Sequence, residues 1–213
     1  MPSGSAESSL TFERGLALLQ AVADIEGEPP TISELAERIG VSRAAVYRLL
    51  GPLQARGLVR RDGSRVRLGL GVLQLAGRVL PQLRQAASPA LRALAEQVGA
   101  TAHLTVADGE EAQAVAVVEP SWTDFHVAYR VGSRHPLRRG AAGKAILLRL
   151  DSGVQWSVTA GELQPGAHGV AAPVRGVPGL RASVGVVALQ PLDSGRTGPL
   201  VVSAARAVAT ALT

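Results

Sequence analysis

The sequence has no cysteine, which excludes disulfides, thiolate metal ligands and cysteine nucleophiles together. Hydrophobic residues make up 46% of it, yet no run approaches the roughly 20 apolar residues that cross a bilayer. Nor does a basic-then-apolar leader open the chain. The expectation is a soluble, cytoplasmic protein that engages no membrane. Lysine is almost missing, Lys144 being the single one, so arginine carries the formal charge of +5. Acids are scarce where the arginines crowd: Arg38, Arg43, Arg48, Arg56, Arg60, Arg61, Arg65 and Arg67 face only Asp62 across that segment. Its local excess is larger than the net charge of the whole chain, and such a field attracts a polyanion.

A length of 213 residues suits two small domains. Met1 to Ser9 are small and polar and are expected to form a disordered tail. Leu16, Leu19, Val22 and Ala23 recur at helical spacing until Gly27 and Pro29-Pro30 end the element. Thr31 with Glu34 forms a capping box for a second helix, whose stripe is Ile32, Leu35, Ala36 and Ile39. Gly40-Val41 breaks it, and Ser42 caps a third helix with Val46, Leu49, Leu50 and Leu53 inward. Pro52 lies inside that helix, so a bend or break near Gly51 is expected. Leu58 to Arg61 and Arg65 to Leu68 then flank Asp62-Gly63-Ser64 as a basic hairpin. This order is that of a winged helix-turn-helix over residues 10–70.

A linker helix is expected over residues 71–87, kinked at Pro81, and Ser88-Pro89 is expected to start another helix ending at Gly99. The remainder, 88–213, reads mainly as strands: Thr101–Ala107, Ala112–Glu119, Phe125–Tyr129, Trp156–Thr159, Gly169–Val174 and Ser183–Leu189. Helices over Ala141–Leu150 and from about Pro199 to Leu212 accompany them. The pattern is that of an α+β domain built on an antiparallel sheet.

Opposite the inward stripe of the third helix stand Ala44, Arg48 and Gly51, with Tyr47 on the flank and Arg43 near the N-terminus. Small residues let a backbone settle into the major groove, and arginine can donate two bonds to guanine. Arg43 and Arg48 are the candidates for reading bases. Ser42, Tyr47, Arg60, Arg61, Arg65 and Arg67 are the candidates for phosphate. Taken singly, each arginine is a solvated surface residue; taken together with a capped helix pair and a basic hairpin they point to DNA.

The run from Leu16 through Leu68, with Ile32-Ser33-Glu34-Leu35-Ala36, Val41 through Leu50 and Gly57-Leu58-Val59, resembles the DNA-binding domain of IclR-type regulators. Val131-Gly132-Ser133, Pro136-Leu137, Gly140 through Ala145, Gly161 through Gly166 and Val170 through Val174 resemble landmarks of that family's effector domain. The resemblance implies a GAF-like sensing domain in the second half, a homodimer or tetramer, and palindromic operators as the DNA partner. It also implies an effector site at Ala141, Ala142, Thr159, Ala167, Gly169, Val187 and Leu189. Two departures stand out. The connection from Leu150 to Trp156 is short where relatives insert several helices. Val187-Ala188-Leu189 stands where relatives that bind small carboxylates carry serines. An effector less polar than a small keto acid, or a vestigial pocket serving a dimerisation domain, is therefore expected.

Gly140-Ala141-Ala142-Gly143-Lys144 is too tightly spaced for a phosphate loop, and Ala145 stands where magnesium binding needs a hydroxyl. His103, His126, His135 and His168 are scattered without the pairing that zinc requires and read as loop or strand-face residues. No nucleophile elbow or pair of matched acids is present. No cofactor, metal or catalysis is expected. Three readings remain: a ligand-responsive DNA-binding repressor or activator, a winged-helix protein-docking module, and a small enzyme assembled by its helical domain.

Overall fold

The computed structural model describes residues 9–123, 127 and 129–213. The tail expected over 1–9 falls outside them apart from Ser9. So do His126 and, apart from Val127 and Tyr129, the strand expected over Phe125–Tyr129. The chain divides into two compact units, Met1–Val79 and Leu80–Thr213.

In the first unit α1 spans Leu10–Ala23, α2 Ile32–Arg38 and α3 Arg43–Ala55, followed by strands β1 (Val59–Asp62) and β2 (Arg65–Leu68). The capping box at the start of α2 is formed: the Glu34 backbone N–H donates to Thr31 Oγ1, and Thr31 N–H donates to Glu34 Oε2 at 2.7 Å. The Ser42 hydroxyl accepts from the Ala45 backbone at 3.2 Å and caps α3. Leu18, Leu35, Val46, Leu50 and Val66 are fully buried and hold the three helices and the hairpin together. On α1 the inward stripe is Leu18, Ala21 and Val22, whereas Leu16 and Ala23 of the expected stripe are exposed. That helix is apolar on more than one side, so periodicity alone does not choose the face that packs. Nor does α3 break at Gly51, since it continues to Ala55 with Pro52 inside.

The hairpin turns at Gly63, whose φ of 60° is the left-handed geometry that a two-residue turn demands and glycine adopts without strain. It is tied to the segment before α2. Ile32 N–H donates to Ser64 O and Val66 N–H to Pro30 O, both at 2.9 Å.

Helix α4 runs without interruption over Gly71–Val98, with Pro81 and Pro89 inside it. The expected fresh start at Ser88 is not made. Leu83, Ala87, Leu91, Leu94 and Ala95 are buried along one side of α4. Both prolines are on its exposed side, where the carbonyls they leave unpaired can meet water.

The second unit is a six-stranded sheet in the order β5-β4-β3-β8-β7-β6, antiparallel throughout. Its strands are β3 (Thr101–Asp108), β4 (Glu111–Val118), β5 (Arg134–Pro136), β6 (Ser157–Ala160), β7 (His168–Val174) and β8 (Ala182–Ala188). Helix α5 is Gly140–Ile146, with a short 3-10 turn at Leu150–Ser152, so the helix expected to reach Leu150 ends earlier. The last helix, α6, begins at Ser194 rather than near Pro199. The Asp193 side chain accepts from the backbone of Gly195 and Arg196 and starts it there. Strand alternation sorts the two faces of the sheet. Val170, Ala172, Val174, Ala182, Val184 and Val186 enter the main core with α4 and α6. Ala171, between them on β7, meets Ala141 and Ala145 of α5 on the other face.

Candidate nucleic-acid interface and ligand cavity

On α3 the outward face holds Arg43, Ala44, Tyr47, Arg48 and Gly51, with Ser42 at its cap, and all six are exposed. Arg48 also borders a groove against Phe12 and Leu16 of α1. On the wing, Arg60 stands directly opposite Arg67 across the two strands, and both are exposed. Like charges placed opposite each other in a strand pair repel, so this pair is ready for an anion between or above it. Among the described residues, Arg43, Arg48, Arg60, Arg61 and Arg67 form no ion pair, in contrast to Arg38 with Asp24 and Arg65 with Glu28.

Two of the expected phosphate contacts have structural duties. Arg65 donates to Pro29 O at 2.6 Å and to Glu28 Oε2 at 2.9 Å, which clamps the wing to the chain ahead of α2. Arg61 has its Cζ 5.4 Å from the centre of the Tyr47 ring. Neither duty is visible in the linear sequence, because the partners are remote in it.

In the second unit a cavity of about 50 Å³ lies under α5. Six of the seven expected effector residues line it: Ala141, Ala142, Thr159, Ala167, Gly169 and Val187. Leu189 does not, and is 61% exposed beyond the end of β8. His103, Tyr129, His135 and Glu162 line it without having been anticipated. For His103 there is a signal in hindsight, since Thr101, His103 and Thr105 alternate with Ala102 and Leu104 and all five are buried. For His135 there is none, because the three-residue β5 that carries it is too short to stand out.

The cavity wall is a hydrogen-bonded polar set inside an apolar shell. His103 Nδ1 lies 3.1 Å from Thr105 Oγ1, and the rings of His103 and Tyr129 meet edge to face at 5.1 Å. Burial, and after it the proximity of His135, pushes the His103 imidazole down to about 4, so it is neutral at physiological pH. At the rim the Glu162 carboxylate accepts from Lys144 and, at 3.0 Å, from the Gly140 backbone. The Lys144 contact and then the Gly140 N–H hold it below the usual carboxylate range. Lys144 is thus committed to the loop after β6. Gly140 has a φ of 73° and leaves no room for a Cβ beside Leu163.

Two family models match the chain. The IclR helix-turn-helix domain covers residues 11–63, and the C-terminal domain of the bacterial transcriptional regulator IclR covers 80–155. Together they take in more than half of the sequence. The acetate operon repressor of Salmonella typhimurium is 31% identical over 145 residues, 66% of this chain and 53% of its own. The transcriptional repressor IclR of Escherichia coli is 30% identical over 154 residues, 70% of this chain and 55% of its own. The chain therefore spans about half the length of these curated relatives. Among solved structures, an IclR family transcriptional regulator from Brucella abortus has a TM-score of 0.55 at 19% identity, covering 98% of this chain and 95% of that one. An IclR homologue from Microbacterium hydrocarbonoxydans, complexed with 4-hydroxybenzoate, has a TM-score of 0.52 at 19% identity, covering 95% and 98%.

Proposed function

The chain belongs to the IclR family of transcriptional regulators, and from that membership we propose that it is a sequence-specific DNA-binding regulator whose second unit senses a small molecule. The observation that carries the proposal is the unpaired basic surface made by Arg43 and Arg48 on α3 with the opposed Arg60 and Arg67 on the wing. Arg43 and Arg48 read base edges, while Ser42, Tyr47 and the wing residues Arg60 and Arg67 hold phosphates and set orientation. Regulation takes place in the cytoplasm, on palindromic operators bound by a homodimer or tetramer. Exposed Leu73, Leu75 and Val79 on the first turns of α4 support self-association, because apolar side chains grouped on one helix favour burial. Two relatives are named repressors, and repression is the sense proposed.

A compact, weakly polar effector is the reading for the cavity. Its support is the apolar lining by Ala141, Ala142, Leu163 and Val187.

A mobility-shift titration on the DNA upstream of the protein's own gene tests the proposal. Affinity should fall by orders of magnitude between roughly 50 and 200 mM salt, as released counterions demand, and a metabolite panel should shift it. A weak salt response with no preference over random DNA would instead favour a protein-docking role and overturn the reading.

A further inference from the structure

One fully buried polar atom on the cavity wall has no partner among the described residues. His135 Nδ1 lies 3.1 Å from Pro136 O, and because a carbonyl only accepts, that nitrogen carries the proton. In the neutral ring Nε2 is then a bare acceptor. It is buried and makes no hydrogen bond with the described residues, in a side chain that belongs to a residue only 7% exposed. A buried acceptor left unpaired carries a standing desolvation penalty, and such groups in folded proteins call for an explanation.

Several polar groups on or behind this wall are already occupied, while Thr159 and His168 line the cavity without a side-chain partner among the described residues and leave His135 Nε2 as its fully buried unpaired acceptor. His103 pairs with Thr105, Ser183 with Ala142 O and Thr101 with Val127 O. Glu162, the one charged residue lining the cavity among the described residues, is taken by Lys144 and Gly140. Among the described residues no arginine or lysine lines this narrow cavity, so a carboxylate placed inside it would lack a counter-charge. The cavity of about 50 Å³ holds about three to five non-hydrogen atoms at the 10–15 Å³ that one water needs. A wider basin of about 640 Å³ shares Tyr129, His135, Leu163, Ala167 and Val187 with it, carries Arg130, Arg134 and Arg139 on its own wall, and takes the rest of a larger molecule.

We propose that His135 determines ligand specificity by accepting a hydrogen bond at Nε2 from the hydroxyl of an effector, an alcohol or phenol, whose end inside the cavity is uncharged. This rests on the ligand-sensing reading above and adds the class of compound sensed. A molecule of the same shape without the donor leaves Nε2 unpaired and binds less tightly.

The test uses the full chain, calorimetry and four probes: phenol, toluene as its donor-free counterpart, 1-propanol and pyruvate. Phenol should bind at least about tenfold more tightly than toluene, a ratio that one buried hydrogen bond supports, and 1-propanol should bind more tightly than pyruvate. His135→Gln keeps an acceptor near the Nε2 position and should retain most of the preference; His135→Leu should bind phenol and toluene alike. In the wild type, the ¹⁵N resonance of Nε2 should move with phenol and stay put with toluene, which requires no folded variant. Equal binding of phenol and toluene, a preference that survives in His135→Leu, or binding by none of the four overturns the role of His135. Binding by pyruvate alone overturns it too, yet leaves ligand sensing standing. Ligand sensing fails separately, if no member of the metabolite panel alters DNA binding.

Discussion

The guanidinium of Arg61 stacks over the Tyr47 ring, its Cζ 5.4 Å from the centroid. Arg61 is paired in register with the buried Val66 and lies one residue from the outward Arg60. It therefore turns toward α3 while Arg60 and Arg67 turn away. The wing and the proposed recognition helix are braced by this side-chain pair, which fixes the angle between the two groups of cations proposed to meet a duplex.

The brace should register as coupling. A double-mutant cycle of Arg61→Ala and Tyr47→Ala, read by urea unfolding, is expected to give about 0.5–1 kcal/mol of interaction, the range for exposed cation–π pairs. Tyr47→Phe keeps the ring face and should retain that coupling. Additive losses in the Ala pair would show that the stack contributes nothing.

The arginines divide by role, and DNA binding with folding stability separates them. Arg48→Ala should cost about 1–3 kcal/mol at one base pair of the operator and relax preference there. Arg60→Ala and Arg67→Ala should weaken specific and random DNA alike, each lowering the salt slope by about one. Arg65→Ala should differ from both. With its bonds to Pro29 O and Glu28 gone, folding stability should drop by about 1 kcal/mol. A folding loss as large in Arg60→Ala would contradict this division, which anisotropy titrations and urea melts check.

Acid should destabilise the second unit through His103. Its folded pKa of about 4 lies below the unfolded value of about 6.5, so the unfolded chain binds the proton first. Stability is whole above about pH 6.5 and falls as the pH drops toward 4, by about 3 kcal/mol in total. His103→Asn can still bond Thr105 but does not titrate in that window. Its unfolding free energy should change less between pH 7 and pH 4.5 than that of the wild type, and an equal change would remove His103 as the cause.

What the linear sequence made legible was local. Thr31 with Glu34, and Ser42, sit within three residues of the backbone groups they cap, and a hairpin around Gly63 needs only its turn and its alternation. What stayed hidden depended on distant partners. In sequence Pro81 suggests a kink, since a proline costs about 3 kcal/mol in an ideal helix, and Ser88-Pro89 suggests a start, since proline suits the first helical position. Burial of Leu83, Leu91 and Leu94 against the sheet, at about 1.5–3 kcal/mol apiece, outweighs that cost and keeps α4 whole. Strand β5 exists because Arg134 reaches Asp108, Glu111 and Gln113, none of them near it in sequence. A strand of three residues leaves no pattern in sequence that would bring His135 beside the cavity, whereas the family motifs point to six of its other lining residues.

Gly169→Ala isolates the cavity from the rest of the molecule. A Cβ there would stand 3.1 Å from Ala141 Cβ and 3.4 Å from Thr159 Oγ1, inside the space the effector is proposed to fill. Gly169 lies in the extended strand β7 and has no positive φ, so the backbone accepts alanine and only the contact with α5 is tight. Overpacking of this size costs about 1 kcal/mol or somewhat more, which leaves a folded protein. Its DNA affinity without effector should match the wild type, because the basic surface belongs to the other unit. The rise in melting temperature that a bound ligand produces in the wild type should be lost or strongly reduced. Should the variant keep the full thermal response to a compound that shifts the wild type, that compound binds somewhere other than beneath α5.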